Sequence, residues 1–260
     1  MITELNHVGI FTADLNATEK FYTELFGARV AWRGFIESFE MDILYLQISG
    51  GLVEFLSFRD PEKNSQRGTD HLGFISDDLD ADYASLVEAG YRSAVAPKVS
   101  GSGIGRQAFV LDSNDVRIEL IERDLPLRPS VVEHSVVKAL DHLSLRTDDL
   151  SKSLDLFRDR MGIPVLRELK TSSGATITYL QLGDDTLEFL TGFDAAARLH
   201  HIALRVDDVD EALAFFVDSG YQPDGASRPA GTGVGRIGSI TDPNGVMIEI
   251  LDRPPLADLP

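Results

Sequence analysis

One short phrase, repeated four times with a histidine at the same place, constrains this chain more than any other feature. It reads Asn6-His7-Val8-Gly9-Ile10, Asp70-His71-Leu72-Gly73-Phe74, Asp141-His142-Leu143-Ser144-Leu145 and His200-His201-Ile202-Ala203-Leu204. A helix-like stretch follows each copy, and each unit closes on an apolar strand with one glutamate inside it: Glu54, Glu119, Glu188 and Glu249. The His-to-Glu separations are 47, 48, 46 and 48 residues. Self-similarity at such a period indicates copies of one supersecondary unit.

The first unit sets the pattern. A strand at His7 leads to Asp14, a capping residue, and then Leu15, Thr18, Phe21, Tyr22 and Leu25 recur at helical spacing until Phe26-Gly27. Strands are predicted over 28–33, 41–48 and 52–58. After a polar break at 59–68 the order returns, with a helix over 79–88 and strands near Ala94, over 107–111 and over 116–121. The stretch 122–138, with Pro126 and Pro129, reads as an interdomain linker, and His134 within it as a solvated residue. Helices over 150–160 and 209–218 place two more units beyond it. The second and fourth units align at a constant offset of 130, so that Gly101-Ser102-Gly103-Ile104-Gly105-Arg106 matches Gly231-Thr232-Gly233-Val234-Gly235-Arg236. The expected fold is α+β: four tandem βαβββ units forming two modules with cupped mixed sheets. Module 1 spans 1–124, a linker 125–138, module 2 139–254 and a tail 255–260.

Side chains alternate along a strand, so each histidine shares a face with the small residue two positions on. Glu54 shares its face with Leu52 and Leu56, and Glu249 with Met247 and Leu251. A carboxylate among apolar neighbours needs a partner, and a metal ion satisfies it. Core packing does not require the same two residue types in every copy. Imidazole and carboxylate without thiolate suit Zn, Ni, Co, Mn or Fe(II), and the chain has no cysteine. Two His and two Glu in an octahedral site leave two positions for substrate oxygens, as in an enediolate. The units can pair within a module or across modules, and either pairing gives two His and two Glu per site.

Composition narrows the partners. A net charge of -18 opposes nucleic acid and anionic membranes, and repels an anionic substrate unless local arginines offset it. The N-terminal residues show no signal-peptide pattern and no apolar run is long enough to span a bilayer, so a cytoplasmic protein is expected, monomeric or homodimeric, acting on a small molecule. The glycine-rich loops ending at Arg106 and Arg236 precede strands, not helices, which argues against phosphate binding. They are expected to be flexible rims offering Arg to a carboxylate.

The opening His strands, Phe21-Tyr22-Thr23-Glu24-Leu25-Phe26-Gly27 and Thr241-Asp242-Pro243-Asn244-Gly245-Val246-Met247-Ile248-Glu249 resemble the vicinal oxygen chelate superfamily, which includes glyoxalase I, methylmalonyl-CoA epimerase, extradiol dioxygenases and bleomycin-resistance proteins. The resemblance covers nearly the whole chain. It implies glyoxalase-like modules, and metal ligands His7, Glu54, His71, Glu119, His142, Glu188, His201 and Glu249. The activity it implies is that of a metal-dependent lyase or isomerase, which stabilises an enediolate while Glu119 or Glu249 shuttles the proton. Epimerases of the family tend to have Gln where Glu54 and Glu188 stand. An extradiol dioxygenase could use His142, His201 and Glu249, but Glu188 would crowd its open side and 231–239 holds no His or Tyr. A non-catalytic antibiotic-binding protein would not need all eight ligands.

Overall fold

The computed structural model describes residues 1–60, 62–63, 65–125, 127–128, 130–191 and 199–259; Pro126 and Pro129 of the linker, and positions 61 and 64 of the polar break, lie outside these. The first unit runs β1 (Ile2–Phe11), α1 (Leu15–Phe26), β2 (Arg29–Ile36), β3 (Met41–Ile48) and β4 (Gly51–Phe58). The second runs β5 (Gly68–Ser76), α2 (Leu79–Glu88), β6 (Arg92–Val99), β7 (Arg106–Leu111) and β8 (Arg117–Glu122). The third is β9 (Val137–Arg146), α3 (Leu150–Leu154), β10 (Val165–Lys170), β11 (Thr176–Leu182) and β12 (Asp185–Leu190). The fourth is β13 (Leu199–Val206), α4 (Val209–Asp218), β14 (Arg228–Pro229), β15 (Arg236–Thr241) and β16 (Met247–Leu251).

These strands form two eight-stranded mixed sheets, ordered β2-β3-β4-β1-β5-β8-β7-β6 and β10-β11-β12-β9-β13-β16-β15-β14. Within a unit the first strand lies parallel to the last; between units the two opening strands run antiparallel. Units one and two therefore share one sheet and units three and four the other. Of the two pairings the sequence allowed, the structure has the one within modules.

Capping follows the sequence. The Asp14 carboxylate accepts from the Asn16 and Ala17 N–H groups, both at 3.0 Å, and Asp78, Asp149 and Asp208 cap the other helices in the same way. The third helix differs from expectation: it is α-helical over Leu150–Leu154 and winds as a π-helix over Asp155–Arg160. A π turn holds more residues, so consecutive side chains point closer together, and Leu156 and Phe157 are both fully buried.

The two faces of each sheet do different work. On β1 and β4 the side chains of Val8, Ile10, Val53 and Phe55 meet the helices in the main core. Leu52, Glu54 and Leu56 point to the opposite, cupped face, beside Ile36, Met41 and Tyr45. The helix-side core is common to both modules. Phe26 of α1 lies edge-on to Phe216 of α4 at 5.7 Å, the Tyr22 hydroxyl donates to Asp242 at 3.0 Å, and Asn244 donates to Thr18. The relation is repeated on the other side, where Asn114 donates to Thr147 and the Tyr91 hydroxyl to Asp155.

The linker is less solvated than its composition suggests. His134 is half-buried against Gly27, which corrects the reading of it as a solvated residue. Its Nδ1 accepts from the N–H groups of Val136 and Val137 at 3.3 and 3.1 Å. Gly27 has φ +63°, and a Cβ there would lie 2.4 Å from the His134 ring, so the end of α1 needs glycine on both counts. Arg128 forks onto Asp185 at 2.9 Å on both oxygens and also reaches the Leu5 carbonyl. At the C-terminus, Leu256 and Leu259 are buried against the second sheet.

Candidate metal centres

The four histidines are aimed by a shared irregularity. Pairing of the opening strands slips by one residue at Asn6, Asp70, Asp141 and His200, each the polar residue before the histidine. A bulge there turns that side chain back toward its neighbour instead of to the opposite face. Asn6 Oδ1 meets His7 Nδ1 at 3.0 Å, Asp70 meets His71 Nδ1 at 2.8 Å, and Asp141 meets His142 Nδ1 at 2.8 Å. Each of these acceptors also holds an arginine: Arg123 on Asn6, Arg117 on Asp70, Arg253 on Asp141. With Nδ1–H donating backward, Nε2 presents a bare lone pair to the cup. The sequence phrase contained these polar residues, but strand alternation alone would have sent them away from the site.

The sheet register then brings the glutamates in. One row across the first sheet is Tyr45, Glu54, Gly9, His71; the next is His7, Gly73, Glu119, Phe109. The small residues serve the opposite histidine, not their own. A Cβ on Gly9 would lie 2.1 Å from the His71 ring, and one on Gly73 2.3 Å from the His7 ring. The result is a tight cluster, with His7 Nε2 3.0 Å from His71 Nε2, Glu54 3.4 and 3.2 Å from the two, and Glu119 3.3 and 3.5 Å. All four side chains are buried. A cation about 2.1 Å from each donor would set neighbouring donors roughly 3.0–3.4 Å apart, so the cluster fits a divalent metal. Without metal a proton must lie between the two Nε2 atoms at 3.0 Å, and a divalent cation could take its place. Without metal, burial opposes charge on His71, but Asp70, Glu119 and Glu54 together hold its pKa well above the usual value. Burial likewise pushes Glu54 and Glu119 up, and the two imidazoles outweigh it and hold both low.

The second centre repeats the rows as Tyr179, Glu188, Ser144, His201 and His142, Ala203, Glu249, Ser239. His142 and His201 approach to 3.1 Å between Nε2 atoms, each 3.5 Å from Glu188, while Glu249 stands 3.9 Å from His201. Glu188 Oε2 is buried with no hydrogen bond, which also suits a cation. Burial and the nearby Glu188 raise Glu249 to about 7. For His142, burial is outweighed by Glu188 and Asp141, which lift it to about 10; His201 is lowered to about 3, chiefly by burial. Tyr179 donates to Glu188 at 2.7 Å. Tyr45 holds the matching place beside Glu54 on the first sheet. Both tyrosines were missed from sequence, and only the cross-strand register reveals them.

Both cups mix apolar walls with cationic groups. The first encloses about 490 Å³ and sets Trp32, Ile36, Met41, Phe58 and Leu127 beside Lys98, Arg117 and Arg123. The second, about 530 Å³, sets Ile177, Leu190, Met247 and Leu251 beside Arg146, His200, Arg228 and Arg253. The rim arginines are not free for substrate as expected: Arg106 forks onto Asp80 and reaches Glu122, and Arg236 holds Asp210 and Ser227. Each rim is thereby tied to the first turn of its unit's helix. Among the described residues no helix is long and apolar enough to cross a membrane.

Comparison with known proteins agrees with this architecture. The sequence profile described as Glyoxalase/Bleomycin resistance protein/Dioxygenase superfamily matches residues 4–120 and 139–250. A lactoylglutathione lyase of Neisseria meningitidis is 30% identical over 122 residues, covering 43% of this chain and 88% of that protein. One from Schizosaccharomyces pombe is 23% identical over 201 residues, covering 68% of this chain and 65% of its own. Among solved structures, a Mn(II)-bound glyoxalase from Novosphingobium aromaticivorans superposes with a TM-score of 0.73 at 17% identity, covering 97% of this chain and 83% of that one. Homoprotocatechuate 2,3-dioxygenase from Brevibacterium fuscum gives 0.68 at 18%, covering 96% and 80%. At these identities the structural matches speak to fold alone.

Proposed function

The chain belongs to the Glyoxalase/Bleomycin resistance protein/Dioxygenase superfamily, and we propose that within it the protein is a metal-dependent lyase or isomerase of the glyoxalase I kind. The observation that carries this reading is the first centre, where two imidazoles and two carboxylates converge within 3.0–3.5 Å. His7, Glu54, His71 and Glu119 would hold the cation, and His142, Glu188, His201 and Glu249 a second one. A bound divalent metal would supply Lewis-acid stabilisation for an enediolate.

The chain's own residues divide the remaining work. Tyr179 fixes Glu188, and Tyr45 stands where it can fix Glu54. Glu119 and Glu249 face Phe109 and Ser239 across the strands instead of a tyrosine, and Glu119 meets the two imidazoles at 3.3 and 3.5 Å. A carboxylate without the tyrosine anchor suits the residue that takes a proton and returns it. Glu249, 3.9 Å from His201, stands farther out than the other carboxylates and is placed to take a proton from a bound substrate. The apolar walls of the first cup exclude water from a carbanionic species and accept a substrate with an apolar or aromatic substituent. Lys98, Arg117 and Arg123 line the same cup and offset the chain's negative field for an anionic substrate.

Glutathione hemithioacetals are the first substrates to test, beside those of other thiols and a catechol. Purified protein should carry one or two divalent metals per chain, and Glu119→Gln should lose about 10²–10⁴-fold in turnover while keeping metal. Less than about a tenth of an equivalent of metal after reconstitution would favour a binding protein, and ring cleavage of the catechol would favour the extradiol reading.

A further inference from the structure

The fourth copy of the phrase breaks the rule that the other three obey. Behind His7, His71 and His142 stands an acceptor, Asn6, Asp70 or Asp141, with an arginine donating to it. Behind His201 stands another imidazole. His200 Nδ1 lies 2.8 Å from His201 Nδ1, and the Arg146 guanidinium lies 2.6 Å from His200 Nε2.

Hydrogen-bond bookkeeping decides what this does. A guanidinium only donates, so His200 Nε2 must accept, and the single N–H of a neutral His200 is then on Nδ1. That N–H donates to His201 Nδ1, which leaves the His201 proton on Nε2, pointing into the cup. His201 therefore differs from the other three in which ring nitrogen its neighbour leaves bare: their Nδ1 faces an acceptor, its Nδ1 faces a donor. A ligand needs its Nε2 lone pair, so metal binding at this centre must turn His200 around and set an N–H against the Arg146 donor.

We propose that the two centres are unequal, the second binding divalent metal more weakly because His200 and Arg146 hold His201 in the wrong tautomer. A second observation agrees. The rings of the first centre sit over Gly9 and Gly73, whereas Ser144 and Ala203 carry a Cβ at the corresponding positions, and Glu249 stands farther off than any carboxylate of the first centre. Changing an outer partner of a ligating histidine typically alters metal affinity by about 10–100-fold, which sets the size of the difference. The inference rests on the reading of both clusters as metal centres.

The test is calorimetric titration of chelator-stripped protein with Co(II), which reads binding without activity. Two classes of site are expected, the tight one lost in His71→Asn and the weak one in His142→Asn. His200→Asp restores the acceptor-plus-arginine arrangement and should tighten the weak class by about 10–100-fold, leaving the tight class unchanged. His200→Asn, which supplies a neutral acceptor as Asn6 does behind His7, should shift it the same way without changing charge. Two equal sites, a tight class lost with His142, or a weak class unmoved by His200→Asn would overturn the inference while leaving the metal reading intact. Absence of binding in the unsubstituted protein would overturn both.

Discussion

Gly9 and Gly73 exist for a ring that belongs to the neighbouring strand. Because Asp70 and Asn6 pin the far sides of those rings, the imidazoles have no easy route away from an added methyl. Gly9→Ala or Gly73→Ala should therefore cost the first centre metal affinity, by about 10–100-fold, with the fold kept. Metal titration alongside circular dichroism checks this; unchanged affinity would mean the rings are not held where they are needed. The histidines, the glutamates and the small residues were all legible in the sequence, because repetition at one phase is not a packing requirement. What the small residues were for was not legible, since a cross-strand approach depends on register. The same limit hid Tyr45 and Tyr179.

At the scale of elements, capped helices and hairpin strands follow local sequence closely, as at Asp14 and Gly27. The linker does not, because its order comes from contacts with distant elements. Burial, helped by Lys138, lowers the His134 pKa, and its Nδ1 can accept from Val136 and Val137 only when unprotonated. Between the lowered folded value and about 6.5 the unfolded chain takes up a proton that the folded chain refuses. This contribution to stability is thus complete above pH 6.5 and is lost as pH falls below it. His134→Asn keeps an acceptor but cannot titrate, so urea denaturation at pH 7 and pH 5 should show a smaller loss for the variant. Equal losses would remove His134 as the cause.

The whole molecule is two sheets with one helix-side core between them, which the sequence did not reveal because a period shows copies but not which surfaces they share. Phe26 of the first module is 1% exposed and packs on Phe216 of the second. Phe26→Ala should cost about 3–5 kcal/mol and lower the unfolding midpoint of both modules together, in a single calorimetric transition. Two separate transitions would show that the shared core does not couple them.

The central claim is that each module builds its own centre from two His and two Glu, and metal counting in double variants tests it most directly. At saturating Co(II), His7→Asn with His71→Asn should leave the other centre filled, with one metal per chain. His71→Asn with His142→Asn should leave none. The reverse pattern, with the first pair emptying both centres and the second sparing one, would contradict the account.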